Sequence, residues 1–445
     1  MIQTWRKTSS ELIYSPNVIK DIHMKTIDGY DVKIFTDNIE DTAIEQIRQL
    51  LSIDVFSDCK IRIMPDVHAG AGCVIGFTGN LGDKVIPNIV GVDIGCGMLV
   101  QPFICNNPID FHALNEYILR AIPSGRDFRD ENYLPLSQKY SDIYQNAKQL
   151  ILQLRCYREL KEVRRLYKSI GSLGSGNHFI ELDRDESGLY YLVVHTGSRN
   201  LGKQVADIYQ KLAVKCQSGW DKLMVEKNRI IEEYKQAGRK SELQDVIRNL
   251  HNSFKTRKLT IPQDLCYLEG QFREDYLHDM HICQRWAQIN RKLIVNLIMD
   301  FIVEKGVVSS EEHFRPFESV HNYIGNDNII RKGVISARLG EKCIIPLNMR
   351  DGSLICIGKG NEDWNYSAPH GAGRIMSRSQ AFKEISLEDF KKSMEDVYSE
   401  TVTEYTKDES PMVCKSKHEI MDNIKDTVDI ENVIKPVFNF KAADL

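Results

Sequence analysis

The sequence predicts an α+β fold, one large domain with a helical hairpin inserted over residues 203–258. Three features point there. Short strand-like apolar runs, several of them broken by glycine, alternate with stretches of helical periodicity along the 445 residues. No repeat at solenoid spacing and no Pro/Ser-rich linker divides the chain. Residues 203–258 stand apart, rich in Lys, Arg, Glu and Gln.

Taken in order, residues 32–35 read as a strand and 43–51 as a helix, with apolar positions at helical spacing. Two glycine-broken runs follow, 61–70 and 88–100. Glycine inside such a run marks a bulge or the close approach of a backbone or ligand. Helical patterns continue to about residue 166. The glycine-rich stretch 171–181 then leads to a strand over 189–195. In the insertion, Leu243, Val246, Ile247, Leu250 and Phe254 share one helical face, and Ala237-Gly238 splits the segment into two helices. It reads as a solvated arm, with contact to RNA or a partner as the other open reading. A helix is expected over about 276–303. The last third alternates short strands at 334–337, 343–346 and 354–357 with a final helix near 387–402.

Apolar residues at 42% and charged residues at 27% fit a folded chain and exclude a disordered one. With 58 basic and 62 acidic residues the net charge is −4, so the chain does not coat nucleic acid indiscriminately; a phosphate-rich partner needs a local basic site. No apolar run reaches the roughly 18 residues of a membrane span. The start, Met1-Ile-Gln-Thr-Trp-Arg-Lys7, has no apolar core of the kind a secretory signal carries. Eleven cysteines without a CxxC pair point to a reducing compartment, and a cytoplasmic protein is expected.

The residues that could carry chemistry cluster at strand ends. His68, His178, His195, His321 and His370 each lie within two residues of Gly, Asn or Asp at the close of an apolar run, whereas His251, His278, His281 and His418 sit in charged helical surroundings and read as surface residues. Asp93 and Cys96 are three apart, with glycines flanking the cysteine. Carboxylate, thiolate and imidazole together suit Zn, Fe, Co or Mn. Spacing alone leaves a metal centre and a set of hydrogen-bonded core polars equally open. Arg199 follows His195, and Arg374 and Arg378 follow His370. Guanidinium groups beside glycine-exposed backbone suit phosphate, and Arg374 and Arg378 would share a face if a helix began at Gly373. Structural pairing of these arginines with carboxylates is the alternative.

Six segments, in order from Met64 to Arg378, resemble the RtcB family of RNA-splicing ligases, and with the chain's ending the resemblance covers about residues 61–441. They are Met64-Pro-Asp-Val-His-Ala-Gly70, Gly91-Val-Asp-Ile-Gly-Cys-Gly97, Gly171-Ser-Leu-Gly-Ser-Gly-Asn-His-Phe-Ile-Glu181, His195-Thr-Gly-Ser-Arg-Asn-Leu-Gly202, His321-Asn-Tyr323 and His370-Gly-Ala-Gly-Arg-Ile-Met-Ser-Arg378. The resemblance implies an RtcB-like fold of packed β-sheets flanked by helices. It implies an enzyme that joins an RNA 3′-phosphate or 2′,3′-cyclic phosphate to a 5′-hydroxyl, using GTP and two Mn²⁺, in RNA repair or tRNA splicing. By that resemblance Asp93, Cys96 and His178 hold one metal, and Cys96, His195 and His321 hold the other. His370 takes the GMP and Asp66 orients it. Asn177, Glu181, Asn322, Asn348, Ser353, Gly371, Ala372, Gly373 and Lys441 bind the nucleotide, and Arg199, Arg374 and Arg378 hold RNA phosphates. The partner implied is RNA with broken ends, with no membrane; whether an accessory activating protein takes part stays open.

The chain also departs from the family pattern. The small-residue loop before the nucleophile reads Pro346-Leu-Asn-Met-Arg-Asp-Gly-Ser353, Cys414 stands where the nucleotide pocket has a tyrosine, and the ending reads Asn439-Phe-Lys-Ala-Ala443. The insertion is longer than the family's. These departures mark a divergent branch and leave a second reading, a metal-dependent RNA-end phosphoesterase without guanylylation.

Overall fold

The structure, a computed structural model, describes residues 25–27, 29–254, 257–308 and 314–442. The expectation for the first seven residues lies outside them. The main elements begin with β1 (Val32–Ile34), α1 (Asp41–Leu51), β2 (Ile61–His68), β3 (Ile75–Asn80), β4 (Gly97–Phe103), α2 (Phe111–Ala121) and α3 (Ser141–Leu152). Next come β5 (Phe179–Arg184), β6 (Tyr190–Thr196), α4 (Arg199–Gln217), α5 (Trp220–Gln236), α6 (Leu243–Ser253) and α7 (Gly270–Glu304). The last third holds β7 (Phe317–Val320), β8 (Ile329–Lys332), β9 (Val334–Ser336), β10 (Lys342–Asn348), β11 (Gly352–Gly358), β12 (Ser367–Pro369), α8 (Arg378–Glu384), α9 (Leu387–Ser393), α10 (Lys417–Asn423) and β13 (Val428–Lys441).

A seven-stranded antiparallel sheet runs in the order β7-β4-β6-β5-β13-β11-β10. It curls until its edges nearly meet, and the amide of Ile344 on β10 donates to the Ser319 hydroxyl of β7 at 2.9 Å. A six-stranded sheet places β1, β2, β3 and β8 between the short strands Lys25–Thr26 and Tyr323–Ile324. Both sides of β6 are buried. Tyr191 and Val193 face an inner apolar cluster with Ile344 and Ile355, while Leu192 and Val194 face a cluster with Ile294 and Ile298 of α7. This is why the run reads as continuously apolar rather than alternating.

The 35-residue α7 is the shared wall of the fold. Its first half, with Met280, Cys283 and Trp286, belongs to the core of the six-stranded sheet, and its second half packs on the seven-stranded one. It begins at Gly270, six residues before the expected start, because residues 270–275 are largely polar and carry no apolar stripe. His281 on it is half-buried rather than a surface residue.

Two further expectations change. The insertion is narrower than 203–258: α4 is a core helix that buries Leu201, Val205, Ala206, Tyr209 and Ala213, so only α5 and α6 form the hairpin, and α6 buries no residue. Residues 255 and 256 of this segment lie outside the described residues. The helix expected near 387–402 stops at Ser393 and is not the last, since α10 follows it; Met394 and Val397 are buried from a turn, so their apolar spacing reports core contact, not helix. The 14-residue β13, unanticipated from the sequence, closes the middle of the large sheet.

Candidate active site

Register brings the expected metal ligands to one end of four neighbouring strands. Gly97 pairs with Thr196 and with Val320, and Phe179 pairs with both His195 and Lys441. Cys96, His178, His195 and His321 therefore meet although up to 225 residues separate them. Glycine is required twice here. A side chain at Gly97 would collide with the Ser319 backbone, and one at Gly197 would occupy the space of the Asp93 carboxylate. The middle of α7 fixes these loops from behind. Arg291 donates to the carbonyls of Gly95 (2.8 Å) and Thr196 (2.7 Å) and pairs with Glu318. The Asn290 side chain accepts from the amides of Gly171 and Ser172.

Two donor triads share the Cys96 thiol: Asp93–Cys96–His178 and Cys96–His195–His321, each with its donor atoms within 4.8 Å of one another. Cys96 Sγ lies 3.4 Å from His178 Nε2 and 3.3 Å from His195 Nε2. His195 Nε2 lies 3.5 Å from His321 Nε2. His195 Nδ1 donates to the Asn177 carbonyl at 3.0 Å, which fixes the tautomer and leaves the Nε2 lone pair facing the cluster. Burial pushes His195 and His321 well below the ordinary histidine range, so both imidazoles are neutral. Burial opposes ionisation of Asp93, but His178 and Arg199 outweigh it and hold the carboxyl down to about 2. Burial, with Asp93 next to it, pushes the Cys96 thiol well up. Neutral imidazoles, one carboxylate and a thiol that ionises only beside positive charge form a donor set that fits two cations sharing a sulfur.

His370 stands next to this cluster, its ring centroid 4.7 Å from that of His321. Its Nδ1 lies 2.8 Å from Oδ2 of Asp66, a residue with no exposed surface at the bulge of β2. A cavity of about 330 Å³ is lined by His370, Cys96, His195 and His321 together with Asn177, Glu181, Asn322, Asn348, Gly371, Ala372, Gly373 and Lys441. Most of the expected nucleotide contacts thus share one space with the expected nucleophile. Ser353 does not: it is fully buried within β11, and its hydroxyl has no hydrogen-bond partner among the described residues. Arg350 points away to solvent and pairs with Asp351, so the altered loop presents Leu347, Asn348 and Met349 to the cavity. Cys414 lines it as well.

The arginines are held rather than loose. Arg199 starts α4 with a left-handed backbone (φ 58°); its guanidinium lies 3.3 Å from His178 Nδ1 and donates to the Gly125 carbonyl. The helix expected from Gly373 begins instead at Arg378, capped by the Ser377 hydroxyl, so Arg374 and Arg378 are not one turn apart on a helix. Two acids that sequence reasoning missed bring them together. Asp408 pairs with Arg378 and its carbonyl accepts from Arg374, while Glu409 lies 3.0 Å from Arg378, 3.6 Å from Arg374 and 2.6 Å from Lys441. Structural pairing and a place on the cavity wall hold at once for Arg374 and Arg378. Asn290 and Arg291 carry a sequence signal, a polar pair among the apolar residues of α7, whereas Asp408 and Glu409 sit in the polar run 404–410 and carry none.

A second cavity, of about 420 Å³, lies on the far side of Asp93 and Arg199 and carries Arg126, Arg165 and Lys203 beside Phe128. Asp93 lines both cavities.

Comparison with known proteins gives the family. The family model described as tRNA-splicing ligase RtcB matches residues 46–442. The RNA-splicing ligase RtcB of Escherichia coli K12 is 29% identical over 402 residues, covering 85% of this chain and 88% of the relative. The tRNA-splicing ligase RtcB of Methanococcus maripaludis is 24% identical over 459 residues, covering 86% and 87%. That of Nanoarchaeum equitans is 25% identical over 393 residues, covering 72% and 74%. With the family pattern running through nearly all of its length and through every strand end that builds the site, this chain belongs to the RtcB family.

Proposed function

We propose that this chain is a GTP-dependent RNA ligase that joins a 3′-phosphate end, or a 2′,3′-cyclic phosphate end after hydrolysis, to a 5′-hydroxyl end in RNA repair or tRNA splicing. One observation carries the reading: the His370–Asp66 pair opens into the same cavity as the donors that share Cys96. A binding protein needs neither an oriented imidazole nor a bridging thiol.

With Asp66 accepting from Nδ1–H, the ring's Nε2 lone pair is left to attack the α-phosphorus of GTP. An N–P bond forms on His370 as the bond to pyrophosphate breaks. Asn177, Glu181 and Lys441 hold the guanylate in place during this exchange. GMP then passes to the RNA 3′-phosphate, which becomes an electrophile with GMP as its leaving group, and the 5′-hydroxyl attacks it. Two Mn²⁺ ions, one held by Asp93, Cys96 and His178 and the other by Cys96, His195 and His321, would neutralise phosphate charge. Arg199, Arg374 and Arg378 offset repulsion between the phosphates. The cavity beyond Asp93, with Arg126, Arg165 and Lys203, suits a polynucleotide backbone. Eleven cysteines without a CxxC pair support a cytoplasmic setting.

Incubation with α-labelled GTP and Mn²⁺ tests the reading. A protein–GMP adduct that needs His370 is expected; cyclic-phosphate hydrolysis without any adduct would favour the phosphoesterase instead.

A further inference from the structure

The reaction outlined above gives no role to Asp183, yet Asp183 is the least comfortable group near the cavity. It has no exposed surface, and neither carboxyl oxygen has a hydrogen-bond donor among the described residues. A buried carboxylate without a donor or a cation is costly enough that such groups take up a proton instead. The neighbours explain the isolation. On β5, Glu181 and Asp183 are two apart and so face the same side of the sheet. Across from Asp183 stand Tyr191, whose hydroxyl donates to Asp185 at 2.9 Å, and Pro436, which has no N–H. Tyr191 and Val193, opposite Asp183 and Glu181, belong to an apolar cluster with Ile344, Ile355 and Ile434. Among the described residues the polar neighbour of Asp183 is Glu181, another acceptor. Two acceptors become partners only by sharing a proton.

The two carboxyls are not equivalent. Glu181 accepts from the Asn439 side chain at 2.6 Å and sits in the field of Lys441, which itself pairs with Glu409. Asp183 has neither. The negative charge therefore rests on Glu181 and the proton on Asp183. Burial raises both carboxyls, and the adjacent Glu181 raises Asp183 further, well above the ordinary range.

We propose that Asp183 is a protonated positioning residue whose O–H donates to the Glu181 carboxylate, holding it ionised and aimed into the nucleotide cavity as the acceptor that selects guanine. This rests on the reading above that Glu181 contacts the guanylate. Guanine offers two adjacent donors, its N1–H and its 2-amino group, to an anionic acceptor. Adenine presents a lone pair at N1 and is repelled.

The test compares Asp183→Asn, which keeps a donor, with Asp183→Leu, which keeps the volume alone. Infrared difference spectra at neutral pH should show a protonated-carboxyl C=O band in the wild type that both variants lose. The KM for GTP in GMP labelling should stay within about two-fold in D183N and rise about ten-fold in D183L, with kcat kept and the preference for GTP over ATP narrowed. A wild type without the band, a D183N protein that keeps it, or a D183N protein as impaired as D183L would overturn the proposal, as would D183L with an unchanged KM. If D183L fails to fold, the band and the KM of D183N still decide. If the wild type takes no GMP at all, the ligase reading fails, and the infrared band alone settles the shared proton.

Discussion

Asp66 and His370 lie 304 residues apart in the chain and meet at 2.8 Å, one buried in the bulge of a strand, the other at a strand end on the cavity wall. The carboxylate fixes the proton on Nδ1 and so determines which nitrogen can act as nucleophile. Asp66→Asn can reverse that choice, because its amide can donate where the carboxylate accepts. GMP labelling should fall at least about a hundred-fold in D66N with metal content retained, since wrong-tautomer substitutions of this type are costly. Wild-type labelling rates in D66N would show that the pair is structural.

Cys96→Ser should weaken both metals together. A hydroxyl stays protonated where the thiolate would bridge, and both donor triads use this one atom. Elemental analysis that finds two metals per chain in C96S would refute the shared ligand.

Arg291→Lys keeps the charge and loses the fork that spans the Gly95 and Thr196 carbonyls and Glu318. The proposed ligands Cys96 and His195 flank those carbonyls, so metal affinity should drop about ten-fold or more while the fold survives. Metal titration checks this; unchanged affinity would mean that the loops hold themselves.

Glu409 ties Lys441, Arg374 and Arg378 together, and Glu409→Gln should cost about 3 kcal/mol, because three cations lose their shared anion. Burial opposes its ionisation, but Lys441 and the arginines outweigh it, so its carboxyl sits below the ordinary 4.5. A depressed carboxyl stabilises the fold fully above its unfolded value and loses that contribution as pH falls through the folded value. The gap in melting temperature between wild type and E409Q should therefore be widest near neutrality and close below about pH 4.5. A gap independent of pH would contradict this.

Replacing residues 220–256 with a short Gly/Ser link should leave GMP labelling within about two-fold, since the Arg257 amide donates to the Ser218 carbonyl and the hairpin's ends already meet. Ligation of a structured RNA against a short generic one then reports whether the arm chooses substrates. A folded deletion variant without labelling would show that the arm supports the site.

The residues of the two donor triads are legible because each lies within two residues of Gly, Asn or Asp at the end of an apolar run, a local signal that survives without knowledge of the fold. What was illegible depends on partners distant in sequence. Glu409 matters through Lys441, 32 residues away, and Arg291 through carbonyls of Gly95 and Thr196. The strand β13 is hard to read from sequence because Pro436 and a bulge interrupt its alternation. Met394 and Val397 carry helical spacing in a segment that turns instead, since burying an apolar side chain does not require a helix. Arg374 and Arg378 are neighbours, as their spacing suggests, but two acids join them, not a helix.

The most direct measurement is mass-spectrometric mapping of the adduct formed with GTP and Mn²⁺. One GMP on His370 is expected, absent from His370→Ala although that variant keeps the metal content of the wild type. GMP on another residue, or a fully metallated wild type that never takes the label, would contradict the assignment.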